Sequence, residues 1–263
     1  MDLGAAGDLG AGTVALLVLA ALAAGWVDAV VGGGGLIQLP ALLLVPGITP
    51  LQALATNKLA GVGGTLTSSV TFYRRVRPDL RTALPMAALA GVGAAAGALT
   101  AGLLPAQVFR PVILVALVSV AAYTLVRPSL GEATRLRFEG RRHHVAAGLA
   151  GAAIGFYDGV LGPGTGSFLV FALVGLMGYA FLEASAKAKI VNAATNLGAL
   201  AVFVPQGAVL YGLGAAMCAA NVVGGYLGAR TAVAAGSRFV RVVFLVVVGA
   251  LVLRLGYQVL TGR

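Results

Sequence analysis

The chain has 263 residues, of which 59% are hydrophobic and only 10% charged, and its mean hydropathy is +0.98. Soluble domains carry roughly 25% charged residues because their surface must be covered with polar groups, so this composition excludes one and implies an integral membrane protein in contact with a lipid bilayer. The formal charge of +10 comes without a basic stripe interleaved with aromatics, which excludes nucleic acid as an expected partner. One cysteine, Cys218, and two adjacent histidines, His143 and His144, form neither a disulfide scaffold nor a metal-ligand pattern. No metal and no cofactor are expected.

The amino terminus has Asp2 and Asp8 where a cleaved signal would have Lys or Arg, so the first apolar stretch, Thr13 to Val31, reads as mature protein. The next stretches are Leu36 to Val45, Leu51 to Tyr73, Thr82 to Leu104 and Val108 to Val126. A second series runs Val145 to Leu161, Ser167 to Met177, Phe181 to Val204, Ala208 to Ala229 and Phe239 to Val259. A helical crossing needs about 20 apolar residues, so the stretches starting at Leu36 and Ser167 are too short to cross comfortably. Each follows a glycine-rich break, Gly32 to Gly35 in one case and Gly162 to Gly166 in the other. The 39 glycines, about twice the usual share, fit close helix packing and broken helices.

The two series are related by an offset. Moving 130 positions sets Asp28 on Asp158, Gly32 on Gly162 and Gly34 on Gly164; moving 131 sets Lys58 on Lys189, Gly93 on Gly224, Gly97 on Gly228 and Arg110 on Arg241. Charged residues are scarce in this chain, so charged pairs in nearly one register indicate an internal repeat. Residues 1–131 form the first repeat with an amino-terminal tail and residues 132–263 the second, joined by a basic cytoplasmic loop at about 127–144. If each short segment folds back on the helix before it, a repeat contributes an odd number of crossings and the second is inverted. With the amino terminus outside, the cytoplasm then receives Arg74, Arg75, Arg77 and Arg81, the loop with Arg127, Arg135, Arg137, Arg141 and Arg142, and Arg230, Arg238 and Arg241. The positive-inside rule favours this over parallel repeats. The expected fold is therefore an all-α, multi-pass membrane protein of two inverted repeats. Each has a glycine-broken hairpin and three further transmembrane helices.

Such repeats place a site near the middle of the membrane, where interrupted helices leave ends unsatisfied. A helix amino terminus favours an anion, which singles out Gly34, Gly35, Gly164 and Thr165; the same glycines also suit a tight turn. Lys58 and Lys189 lie inside predicted spans, where a lysine faces a polar cavity or an acidic partner, or snorkels to the interface. Lys187, one turn nearer the surface, fits snorkelling or a pair with Glu183 four residues before it. Thr56 and Asn57 accompany Lys58, and Asn192 and Asn196 share a helical face with Lys189; they line a pathway or join helices by hydrogen bonds. Asp28 and Asp158, just before the breaks, read as proton carriers, as lysine partners, or as turn acids bonding exposed backbone N–H groups. His143 and His144 read as solvated residues of a charged loop.

The segments Asp28 to Pro40 (DAVVGGGGLIQLP), Ala55 to Gly64 (ATNKLAGVGG), Asp158 to Gly166 (DGVLGPGTG) and Lys189 to Leu197 (KIVNAATNL) give the chain a resemblance to the sulfite exporter TauE/SafE family. The second copy departs from the first, with Pro163 and Thr165 in place of glycines and Ala-Lys-Ala-Lys in place of Thr-Asn-Lys. The resemblance implies secondary transport, across the cytoplasmic membrane, of a small anion such as sulfite or a sulfonate, coupled to the proton gradient. A passive anion channel is the first alternative. An intramembrane enzyme is the second, and it lacks HExxH, GxSxG and any histidine beside a nucleophile within a span, so the chain is read as a non-enzyme. Import or export, and a homo-oligomer or a single chain, are left open.

Overall fold

A computed structural model describes residues 10–101 and 131–261; the stretch Val108 to Val126, with Arg110 and Arg127, and the terminal Arg263 lie outside the described residues. Among the described residues all regular structure is helical. Helix α1 (Ala11–Val31) ends where Gly32 takes a left-handed conformation at φ 82°, a backbone position that suits glycine, and the chain restarts as the short α2 (Gly35–Leu43). Helix α3 (Pro50–Val76) opens on a capping box between Thr49 and Gln52 with Pro50 in its first position. Helix α4 (Leu80–Thr100) is capped by the Asp79 carboxylate. Helix α5 (Gly140–Val160) breaks at Gly162 and Gly164, both at positive φ, before α6 (Thr165–Phe171), which a π-helical turn over Ala172–Leu176 prolongs. Helices α7 (Phe181–Phe203) and α8 (Tyr211–Thr261) complete the chain.

The expected spans Ala208 to Ala229 and Phe239 to Val259 are two helices within the α8 range, separated by a kink at Gly236 (φ 75°, ψ −175°). The Thr231 to Ala235 segment is mostly alanine and has neither Pro nor Gly, so the first of them runs on past Ala229 as far as Gly236.

Helices α1, α4 and the Tyr211–Ala250 part of α8 are long and apolar enough to cross a membrane. Their outward faces are large and apolar: Leu16, Val92 and Val246 are each about two-thirds exposed. A continuous apolar exterior of this kind is stable against lipid and not against water. Helices α3 and α7 are longer than α1 and α4, with 27 and 23 residues, and carry most of the buried polar groups.

Glycines set the helix directions. Gly93 packs on Ala152 and Phe156 and Gly97 on Phe156 and Val160, so α4 and α5 run parallel; Gly224 on Leu22 and Trp26, with Gly228 on Trp26 and Ala29, makes α1 and α8 parallel in the same way. These contacts correspond residue for residue under the 130–131 offset. Helices α3 and α7 cross antiparallel: Leu210, beyond the end of α7, donates its N–H to Thr56 near the start of α3, while Lys187 near the start of α7 donates to the Asp79 carbonyl beyond the end of α3. The first broken segment therefore enters from one end of the bundle and the second from the other. Their tips meet, with Ser167 donating its N–H to the Gly32 carbonyl at 3.2 Å and its hydroxyl to the Val31 carbonyl at 3.0 Å. A Cβ on Gly32 or Gly166 would overlap the other tip's backbone.

Among the described residues, the exposed arginines gather at one end. Arg74, Arg75, Arg77 and Arg81 flank the α3–α4 connection, and Arg135, Arg137, Arg141 and Arg142 lie around the start of α5, which is joined to α4 through Thr82 and His143. Ser237, beside Arg238, accepts from the N–H of Leu182 at the start of α7 and so belongs to that same end.

Candidate functional site

Each broken segment carries its acid into the tip region, and each long polar helix carries a lysine to meet it. The partners are exchanged: Lys58 of α3 pairs with Asp158 of α5 at 2.6 Å, and Lys189 of α7 pairs with Asp28 of α1 at 2.7 Å. Both lysines are at most 1% exposed, so they do not snorkel. A lysine in hydrocarbon costs at least ~3 kcal/mol on insertion scales, and the facing carboxylate offsets that cost.

The two pairs are not chemically equal. Lys189 also donates to the Asp28 backbone carbonyl at 2.6 Å, and Asp28 Oδ1 accepts, at 3.4 Å, from the N–H of Gly34. Asp28 is thus at once a lysine partner and a turn acid. In the other pair, Asp158 Oδ1 accepts from both Lys58 and the Thr165 hydroxyl at 2.6 Å, while Asp158 Oδ2 has no partner among the described residues.

Between the tips and the two long helices lies a cavity of about 30 Å³, room for one or two waters. Its lining includes Asp28, Gly34, Gly35, Asn57, Lys58, Asp158, Gly164, Thr165, Asn192 and Asn196 from the residues singled out in the sequence. Thr56 is placed elsewhere, its hydroxyl accepting from the Leu210 N–H, and Lys189 sits behind Asp28 and not on the cavity wall. Gln38, Thr65 and Asn221 join the lining. Gln38 escaped the sequence reading, and its signal was an amide standing alone in the apolar run Leu36 to Val45.

The helix-end N–H groups are largely committed within the tips. Leu36, Ile37 and Gln38 donate to the carbonyls of Gly33 and Gly34, Thr165 to that of Gly162, and Ser167 to that of Gly32. Tight bonds of this kind satisfy the first turn internally, so the polar side chains, more than the helix ends, offer the cavity its hydrogen-bonding capacity.

Two further expectations are corrected or sharpened at the basic end. His143 is buried, not solvated: its Nε2 lies 2.8 Å from the Tyr179 hydroxyl and 3.2 Å from that of Thr82. Burial pushes the Tyr179 phenol above its ordinary range, so it stays protonated as a donor. Lys187 is fully buried, with Glu183 at 3.4 Å, the Asp79 carbonyl at 2.9 Å and the Tyr179 ring beneath its ammonium. The Glu183 pair is present and snorkelling is not.

Among known proteins, the family described as Sulfite exporter TauE/SafE matches residues 17–255. The chain belongs to the sulfite exporter TauE/SafE family. Within this transporter family it is 38% identical over 248 residues to a Sinorhizobium protein named "Probable membrane transporter protein ORF9", covering 94% of each chain. It is 35% identical over 244 residues to "Probable membrane transporter protein YfcA" of Escherichia coli K12, covering 92% of this chain and 89% of the relative. A Haemophilus influenzae "Probable membrane transporter protein" is 35% identical over 235 residues, 89% of this chain and 91% of that one. No solved structure matches this TauE/SafE protein.

Proposed function

We propose that this TauE/SafE protein is a secondary transporter of a small anion such as sulfite or a sulfonate in the bacterial cytoplasmic membrane, coupled to protons and built from two inverted repeats comprising residues 1–131 and 132–263. The observation that carries the proposal is the pair of exchanged ion pairs, Lys58–Asp158 and Lys189–Asp28, beside a polar cavity where two broken segments meet. A buried ion pair replaced by packed apolar residues is often as stable or more so, so two such pairs at matched positions are better explained by use than by stability. An anion entering the cavity competes with Asp158 for Lys58, and a proton, carried by the anion or taken up by the carboxylate, fills the bond that Asp158 loses. Anion and proton crossing together move one negative charge fewer through hydrocarbon than the bare anion would. The cavity has room for one or two waters, so any three-oxygen anion requires the tips to separate, and a sulfonate with a carbon tail requires more separation than sulfite. The inverted arrangement is supported by the antiparallel α3 and α7 and by the arginines at one end of the bundle.

Proteoliposome flux of sulfite, thiosulfate, sulfoacetate, acetate and chloride under an imposed pH gradient tests the proposal, repeated with Lys58→Ala and Lys189→Ala. Folded variants that move every anion as well as the parent protein would overturn the anion site, and flux indifferent to collapse of the proton gradient would indicate a channel. Single cysteines at Arg77 and Arg238, in a Cys218→Ala background, are expected to label from the same side of the membrane. Opposite labelling refutes the inverted arrangement.

A further inference from the structure

The cavity makes demands of two opposite kinds. Lys58 brings an ammonium, and Gln38 Nε2 is a buried donor without a partner among the described residues. Asp158 Oδ2 and Asn57 Oδ1 are buried acceptors, equally without partners among the described residues. All four residues are more than nine-tenths buried, with Asp158 at 1% and Gln38 at 2% exposure. Buried polar groups without partners are rare, and each calls for an explanation such as a bound molecule. Rotating either amide exchanges its own donor and acceptor. A carboxylate has no hydrogen to exchange, so the demand at Asp158 Oδ2 stands whichever way the amides face.

A hydrogen-free oxyanion answers only half of this. Its oxygens accept from Lys58 and Gln38, but the remaining oxygen then faces the free carboxylate oxygen of Asp158, acceptor against acceptor and negative against negative. A monoanion that keeps one hydroxyl answers both halves, its bare oxygens accepting from Lys58 and Gln38 while its O–H donates to Asp158 Oδ2. Resting on the reading of this cavity as an anion site, we infer that Asp158 Oδ2 accepts a hydrogen from the ligand, so that the site selects hydroxyl-bearing monoanions of small oxyacids over hydrogen-free anions of the same size and charge. The ligand class is that of hydrogensulfite and bicarbonate, and the coupled proton rides in the bond between ligand and Asp158. The charged groups facing Asp158 are Lys58 from α3 and, across the cavity, the closed Asp28–Lys189 pair. A hydrogen-free anion can enter only if Asp158 first takes up a proton.

The test uses matched anions: bicarbonate against nitrate, both planar with three oxygens, and hydrogensulfite against chlorate, both pyramidal. Each competes with labelled hydrogensulfite for counterflow into proteoliposomes containing the full chain, at a pH where the monoanions prevail. The hydroxyl-bearing member of each pair is expected to compete better by about tenfold or more, because a site with a buried group left unpaired rejects the analogue that lacks the bond. Asp158→Asn keeps an oxygen for Lys58 and Thr165 and places a donor where Oδ2 stood, and it is expected to abolish or reverse that preference. Should the variant fail to fold, calorimetry on the parent protein in two buffers of different ionisation enthalpy decides. Nitrate binding should take up one proton and bicarbonate binding none. Equal competition within both pairs, or equal proton uptake, overturns the inference and leaves the anion site standing. Failure of every anion, unlabelled hydrogensulfite included, to compete overturns the anion reading itself.

Discussion

Replacing each buried lysine by methionine separates the roles of the two ion pairs. Lys189→Met removes both contacts that Lys189 makes with Asp28, at 2.6 and 2.7 Å, and leaves that carboxylate with a single long bond from Gly34 at 3.4 Å. Removing one partner of a buried pair costs about 3–5 kcal/mol because the other charge is left uncompensated. At about 2–4 °C per kcal/mol for a chain of this size, the melting temperature in detergent should fall by about 6–20 °C. Lys58→Met leaves Asp158 with the Thr165 hydroxyl at 2.6 Å, a much shorter bond than the 3.4 Å contact from Gly34 that Asp28 would keep. Its cost is that of one lost charged hydrogen bond, about 1.5–3 kcal/mol, with loss of anion flux as the main effect. Asp28→Asn combined with Lys189→Met removes the stranded charge and should recover most of the lost stability. Melting curves of the three variants in one detergent check this. Equal destabilisation by the two single substitutions, or no recovery in the double variant, would refute the view that the Lys189–Asp28 pair is held more firmly than Lys58–Asp158.

Gly32→Ala and Gly166→Ala should each cost more than ~2 kcal/mol, because a Cβ at either position meets the other tip's backbone and Gly32 is also held at φ 82°. Gly47→Ala, at φ 86° but with open space around it, should cost only about 1–2 kcal/mol; thermal melting distinguishes the two cases. Asp79 caps α4 outside the membrane. Burial pulls its pKa upward, but the bonds from the Arg81 and Thr82 N–H groups and the Thr82 hydroxyl, together with the Lys187 ammonium, outweigh burial and hold it below the ordinary carboxylate value. The folded-state pKa is thus the lower one, so the contribution of this cap is complete above the ordinary carboxylate pKa and is lost as pH falls through the depressed value. Asp79→Ala should cost about 1 kcal/mol near neutral pH, and the difference from the parent protein should shrink on acidification, as melting across a pH series would show.

Much of the site was legible because this chain has so few charges. In a sequence that is 10% charged, Asp28, Asp158, Lys58 and Lys189 stand out against apolar neighbours, and their common offset marks them as counterparts. The broken segments were legible for a similar reason, since Gly32 to Gly35 and Gly162 to Gly166 interrupt runs that otherwise have nothing to stop a helix. Which acid meets which lysine was not legible: partners 161 and 100 residues apart are brought together by the crossing of α3 and α7, which no local pattern encodes. His143 was misread because two arginines precede it. Its position four residues into α5 turns its ring toward Tyr179 and Thr82, while His144 and the arginines face outward. The end of the first helix of α8 was placed too early, at Ala229, because Arg230 and Arg238 resemble a loop in composition, whereas the intervening alanines favour helix as far as Gly236.

The exchange of partners links binding to movement. Asp28 at the tip of α1 is held by Lys189 of the second half, and Asp158 at the tip of α5 by Lys58 of the first, so neither tip can withdraw without opening a pair that spans both halves. A ligand shifts a conformational equilibrium only by as much as its affinity differs between the two states. On the proposed reading, a hydroxyl-bearing anion supplies that difference at Lys58–Asp158, since it takes over the bonds the two side chains make to each other and allows them to part without stranding either charge. The Lys189–Asp28 pair, with its additional backbone contact, stays closed and keeps the first tip fixed. The second tip, whose acid has one oxygen without a partner among the described residues, is then the one that moves.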